Sequence, residues 1–155
     1  MLAQQLRVLN IKTHDIRFPT SIDDVGTDAI HTDCDYSATY IQIFTNNPQL
    51  IGIGLTFTIG KGNDLCVACV DHLKPFILNK TIFDLENNMN EIWQQCTSHS
   101  QLRWIGPEKG VVHLAVAAVF NGIWDLISKF YGKPLWEYVV DLDPDELLKK
   151  VTFMN

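Results

Sequence analysis

The apolar residues of this chain change their spacing partway along, from a period of two to alternating steps of three and four. Leu9, Ile11 and Thr13 share one side of a segment ending at Phe18-Pro19. Further on, Thr39, Ile41 and Ile43 alternate with Tyr40, Gln42 and Phe44. Asn46-Asn47-Pro48 supplies turn chemistry, after which Ile51, Ile53, Leu55 and Phe57 alternate with Gly52, Gly54, Thr56 and Thr58. These connections predict a three-stranded antiparallel meander, with the Ile/Leu/Phe face of the third strand turned toward an apolar partner.

The second half supplies that partner. Asn63 is placed to cap a helix carrying Leu65, Cys69, Leu73 and Ile77 on one face, disturbed near its end by Pro75. Thr81 with Asp84 has the form of a capping box, and Ile82, Leu85, Met89, Ile92 and Cys96 then form one stripe of a following helix. A long helix is expected after Gly106-Pro107-Glu108, running to about Tyr131-Gly132, where glycine is a natural stop. Short helices are expected at Pro134 and at Asp143-Pro144-Asp145. Strands first and a helical bundle afterwards predict an α+β domain. Two segments stand outside this core: a polar stretch between Pro19 and Tyr36, and Val151-Thr152-Phe153, which reads as the opening of a strand.

At 46% hydrophobic and 19% charged, the 155 residues suit one globular domain rather than a disordered tail. A formal charge of -6 without a compensating Lys/Arg cluster argues against nucleic acid as a partner. The most apolar run, from Val111 to about Ile127, contains His113, Asn121 and Asp125, so a buried helix is expected there and a membrane span is not. The start carries no cationic stretch followed by a long apolar one. No secretory signal is therefore expected, and Cys34, Cys66, Cys69 and Cys96 read as reduced thiols of a cytoplasmic or mitochondrial protein.

Candidate chemistry is sparse. Cys66-Val67-Ala68-Cys69 sits inside a helical pattern without a second pair, so it reads as core rather than as a zinc or redox site. Gly54 to Gly60-Lys61-Gly62 fails as a phosphate loop, leaving a glycine turn that presents Lys61 near a helix N-terminus. The five histidines show no metal-binding spacing, although His31 lies in the polar stretch. Trp93, Trp124 and Trp136 fall within helical patterns and are expected to pack in the core. Trp104, in a connection beside Arg103, is placed to face another domain.

Several of these segments also resemble a known family. His31-Thr32-Asp33, Asp35-Tyr36-Ser37-Ala38, Thr56-Phe57-Thr58-Ile59-Gly60-Lys61-Gly62, Gln101 to Ala115, Trp124-Asp125-Leu126 and Gly132-Lys133-Pro134-Leu135-Trp136 are similar to L-fuconate dehydratases. These belong to the mandelate-racemase-like branch of the enolase superfamily, and the similarity runs from about Arg7 onward. Cys34 departs from it, standing where the family usually carries proline. The resemblance implies that residues 1–150 form the N-terminal capping domain and that 151–155 open the first strand of an absent barrel. In that family Mg²⁺ and catalytic bases on the barrel dehydrate an acid sugar to a 2-keto-3-deoxy acid. The implication for this chain is no catalytic residue, no metal ligand and no bound cofactor of its own. The family's first mobile loop corresponds here to Gly26, Thr27 and Asp28, with Tyr36 just beyond; these and Lys61 become the expected substrate contacts. The expected partners are the acid sugar and the missing barrel, with self-association left open. A freestanding acid-sugar or anion binding module is the competing reading.

Overall fold

A computed structural model describes residues 2–23, 25–26, 28–30, 35–106 and 110–151. Strands β1 (Val8–Phe18), β2 (Tyr36–Thr45) and β3 (Ile51–Thr58) form one antiparallel sheet in the order β1-β2-β3, as the alternation predicted. They are followed by helices α1 (Asn63–Leu73), α2 (Ile82–Asn87), α3 (Met89–Thr97), α4 (Val111–Phe130), α5 (Leu135–Val140) and α6 (Pro144–Lys150).

Two strand faces differ from expectation. A bulge between Val8 and Asn10 shifts the register of β1, so Val8 and Ile11 both point inward while Leu9 is 57% exposed. More consequentially, β3 buries Gly52, Gly54, Thr56 and Thr58 and turns Ile53, Leu55 and Phe57 outward. The reason is the proximity of α4. A Cβ built on Gly54 would lie 2.0 Å from the Ala118 carbonyl oxygen, and one on Gly52 would lie 2.4 Å from that of Gly122. Helix and strand backbones meet directly, which only glycine on the strand allows. Gly122 extends the close contact toward β2, where the ends of Ile41 and Ile43 fill the space beside it.

The α4 helix also completes the edge of β3. The Asp125 carboxylate accepts from the Ile53 N–H at 2.7 Å, the Asn121 amide donates to the Leu55 carbonyl at 3.0 Å, and the Lys129 ammonium donates to the Ile51 carbonyl at 3.0 Å. Spacing of four places these three side chains along one stripe of the helix. They satisfy backbone groups that an edge strand would otherwise offer to another chain. Among the described residues α4 alone is long and apolar enough to cross a membrane, yet it is the core helix, with Val116, Val119, Ile123 and Ile127 fully enclosed.

The helix ends follow local chemistry. Thr81 and Asp84 form the predicted capping box. The stripe from Ile82 to Cys96 is buried as expected but belongs to two helices broken at Asn88, whose N–H and side-chain amide both return to the Asp84 carbonyl. Gly132, at φ 68°, ends α4 with its own N–H on Lys129 and that of Lys133 on Ser128. Pro134 and Asp143 cap the two short helices. The face that α1 buries is Cys66, Cys69, Val70 and Leu73, while Leu65 is exposed. Its cap is Gly62 rather than Asn63, because the Asn63 side chain is turned into the sheet.

Packing of the tryptophans is divided. Trp93 lies edge-on to Phe120 and Trp124 lies beside Tyr138, both half-buried, but Trp136 is 69% exposed and does not join the core. The end of α4 and helices α5 and α6 also make polar contacts to α2. Tyr131 and Tyr138 both donate to the Glu86 carboxylate, at 2.8 and 2.6 Å, and the Lys150 ammonium donates to the Glu86 carbonyl at 2.7 Å. Burial and this shared carboxylate push the Tyr131 phenol up to about 12 and raise that of Tyr138 as well.

Candidate functional site

The candidate site lies at the end of the sheet where the β1–β2 connection and the β3–α1 turn come together. The connection starts with a 3-10 turn over Thr20–Asp23 and is closed at its base by Asp35. The carboxylate of Asp35 accepts from the Ser21 hydroxyl at 2.6 Å and the Ser21 N–H at 3.1 Å. Those bonds, the hydroxyl first, hold its pKa below the ordinary carboxylate value. Further into the loop, the Tyr36 phenol donates to the Gly26 carbonyl at 2.6 Å. Gly26 has φ 82°, and a Cβ there would lie 2.2 Å from the Tyr36 ring, so glycine is required both by conformation and by the aromatic beneath it. Asp28 accepts from the Ile30 N–H at 2.8 Å, forming a local turn. Thr27, His31 and Cys34 lie outside the described residues, as does Pro107-Glu108-Lys109.

The second turn, Gly60-Lys61-Gly62, is fixed from below. Arg17 donates to the Gly60 carbonyl and grips both oxygens of Asp15, at 2.6 and 2.7 Å. Asn63 occupies the centre of this network and is fully buried. Its amide donates to Asp15 and to the Ala38 carbonyl, while its oxygen accepts from Thr39 at 2.8 Å and Thr58 at 2.7 Å. Ser37 joins through Thr58 at 2.6 Å. Every polar group of the Asn63 amide is thereby paired, the condition under which a buried amide is tolerated. Hydrogen bonds from Arg17 and then Asn63 hold the Asp15 pKa below its ordinary value. Position 60 also abuts Asp35, with a built Cβ 3.1 Å from its carbonyl oxygen, so the two turns touch.

Of the residues singled out from the sequence, the structure joins Gly26 to Tyr36 directly and sets the glycine turn against the adjoining Asp35. Lys61 is exposed on that turn, and Asp28 belongs to the loop above it. Sequence reasoning did not assign the supporting roles of Asp15, Arg17, Ser21, Asp35 and Asn63. A signal existed in Asp15-x-Arg17, two opposite charges on the same face of a strand. The partner in the other half of the network, Asn63, read as a helix cap instead.

Cys66, Cys69 and Cys96 are free and buried, and desolvation raises all three thiols, Cys69 to about 11 and Cys96 to about 12. A shallow cleft of about 330 Å³ lies between His72, His99, Leu102 and Trp104, with Trp104 itself 83% exposed. Among the described residues no three His, Cys, Asp or Glu side chains come together as a metal site.

No protein-family model matches the chain. The bovine mitochondrial enolase superfamily member 1 is 49% identical over 148 residues, covering 95% of this chain and 33% of its own length. The L-galactonate dehydratase of Hypocrea jecorina is 41% identical over 149 residues, covering 96% and 33%. The crystal structure of human mitochondrial enolase superfamily member 1 superposes with a TM-score of 0.91 at 48% identity, over 95% of this chain and 34% of that one. A Polaromonas L-talarate dehydratase, at 15% identity and TM-score 0.64, shares the fold. The chain spans about a third of the length of these relatives and matches their N-terminal region. In sequence and in fold it is an N-terminal domain of the enolase superfamily.

Proposed function

We propose that this chain is the substrate-enclosing domain of an acid-sugar dehydratase acting on L-fuconate, and that it does no chemistry alone. The observation that carries the reading is the 41% identity to an L-galactonate dehydratase across nearly the whole chain. L-Fuconate is the 6-deoxy form of L-galactonate, so the two acids present the same hydroxyls from C2 to C5. The paired turns suit that class of ligand. Tyr36, Asp28 and Thr27 offer groups that exchange hydrogen bonds with hydroxyls, and the network under Gly60 holds Lys61 at the rim. The role of these residues is to bind, orient and exclude water while the remainder of a full-length protein supplies bases and metal ligands. The mitochondrial compartment named for the relatives is part of the same proposal.

A chimera tests this directly. Replacing the matching N-terminal third of the human relative with this chain should give a folded protein that forms a 2-keto-3-deoxy acid from L-fuconate in the presence of Mg²⁺. Asp28→Ala and Lys61→Ala should raise KM more than they lower kcat. The 155-residue chain alone should show no turnover. A well-folded chimera inert toward both L-fuconate and L-galactonate would remove the dehydratase reading. Calorimetric heat from L-fuconate binding to the 155-residue chain alone would favour a freestanding binding module instead.

A further inference from the structure

We infer that Arg17 is a positioning residue: it fixes the orientation of the Gly60-Lys61-Gly62 turn, and with it the point from which Lys61 reaches a bound acid sugar. The reach toward a sugar rests on the function proposed above; the hold on the turn does not. The inner face of the sheet changes character along its length. Toward one end Ile11, Ile41 and Ile43 are buried in the core. At the other end the register sets Arg17, Ser37 and Thr58 side by side in one row, and Asp15, Thr39 and Thr56 in the next. Ser37 and Thr39 are fully buried there. Apolar side chains would fill the same space without desolvating polar groups, so packing alone does not account for a polar set. What hydrogen bonds add is direction, and they converge on the carbonyl of Gly60.

Counting protons shows which donor holds that carbonyl. The Asn63 oxygen accepts the single hydroxyl proton of Thr39 and that of Thr58. Thr58 can then only accept from Ser37, at 2.6 Å, which uses the Ser37 proton and leaves its 3.3 Å approach to the Gly60 carbonyl without one. Arg17 is the side-chain donor that remains. Its planar fork places two N–H groups on the oxygens of Asp15, itself held by Asn63, and aims a third at Gly60. The pair with Asp64, at 3.6 Å and 70% exposed on the acid, adds little. Across a trans peptide the C=O and N–H point in opposite directions, so a carbonyl held by Arg17 turns the Lys61 N–H away from that side. Glycines flank Lys61, both at positive φ, and give the turn the backbone freedom to settle elsewhere once the grip is lost. The turn also abuts Asp35, the base of the neighbouring loop, so Arg17 supports both halves of the site.

Nitrogen-15 relaxation of the 155-residue chain reads the hold on the turn directly. The wild-type amides of Gly60, Lys61 and Gly62 should have order parameters of about 0.85, and Arg17→Ala and Arg17→Lys should both lower them below about 0.6. Arg17→Lys is the sharper variant, because it keeps the charge and loses the fork. Asp64→Asn should change nothing. Urea midpoints within about 0.5 M of wild type would separate a loosened turn from a loosened domain. Asp15→Asn, which leaves the fork a single oxygen, gives the same reading if the Arg17 variants do not fold. In the chimera with the human relative, Arg17→Lys should raise KM for L-fuconate about tenfold and leave kcat within about twofold. Unchanged order parameters in both Arg17 variants overturn the inference, and so does a loosened turn with an unchanged KM. A wild-type chimera inert toward both acids removes the dehydratase reading alone, and the relaxation data still decide the hold on the turn.

Discussion

Replacing Gly54 by alanine adds one methyl group and should destabilise this domain severely. The new Cβ would lie 2.0 Å from the Ala118 carbonyl oxygen and 2.5 Å from the Gly122 nitrogen, both backbone atoms of α4. Neither can rotate away, so the helix must retreat by more than 1 Å to restore ordinary contact. That movement strains the bonds from Asn121 and Asp125 to the β3 edge and loosens the contacts of Ile123 and Leu126 beneath. Overpacking of a core typically costs about 1–3 kcal/mol, and a rigid backbone neighbour puts this case at about 3 kcal/mol or above. Gly122→Ala is the internal control. Its Cβ meets the terminal carbons of Ile43 and Ile41 at 2.9 and 3.1 Å, flexible ends that yield, and alanine regains about 0.8–1 kcal/mol of helix propensity. The net change there should lie within about 1 kcal/mol of zero. Urea unfolding followed by circular dichroism reads both. With a slope of about 2 kcal/mol per molar, Gly54→Ala should lower the midpoint by about 1.5 M or more. A Gly54→Ala midpoint within 0.3 M of wild type, or a Gly122→Ala variant less stable than Gly54→Ala, would refute the claim that backbone contact sets this interface.

Asn63→Ala should cost about 2–3 kcal/mol, since it removes the acceptor shared by the buried hydroxyls of Thr39 and Thr58 and one donor to Asp15. Urea unfolding checks the stability, and NMR titration should show the Asp15 pKa moving upward toward its ordinary value while Arg17 still holds it down. Thr81→Ala breaks the capping box on α2 and should lose about 1 kcal/mol, visible as a lower midpoint with unchanged slope. Alkaline stability follows from the thiols. Cys69 and Cys96 titrate at about 11 and 12 in the folded chain against an ordinary 9.0, so their contribution is complete below pH 9 and is lost as pH rises from there through 11–12. Thermal melts from pH 7 to 11 should fall progressively above 9, and a flat profile there would contradict the burial. At pH 8 the same two thiols should react with a thiol reagent only as fast as the domain opens.

Much of this fold is written locally. The alternation through β2, the Asn46-Asn47-Pro48 turn, the Thr81–Asp84 box and the Gly132 stop each depend on residues within a few positions of one another, so periodicity and turn chemistry suffice to read them. The loop before Tyr36 stood out by its length and polarity, but Gly26, Asp28 and Tyr36 were singled out only through family resemblance. The bond from Tyr36 back to Gly26 required the loop to be folded. What tertiary structure alone decided is which face of β3 is inside. Hydrophobicity favoured Ile53, Leu55 and Phe57, but two glycines allowed a helix backbone to approach so closely that the smaller face was buried. The roles of Asn63, Arg17 and Asp15 were decided in the same way, because their bonds join residues up to 48 positions apart. Local sequence carries the preferences of each segment; close approach and long-range polar pairing exist only once the segments have met.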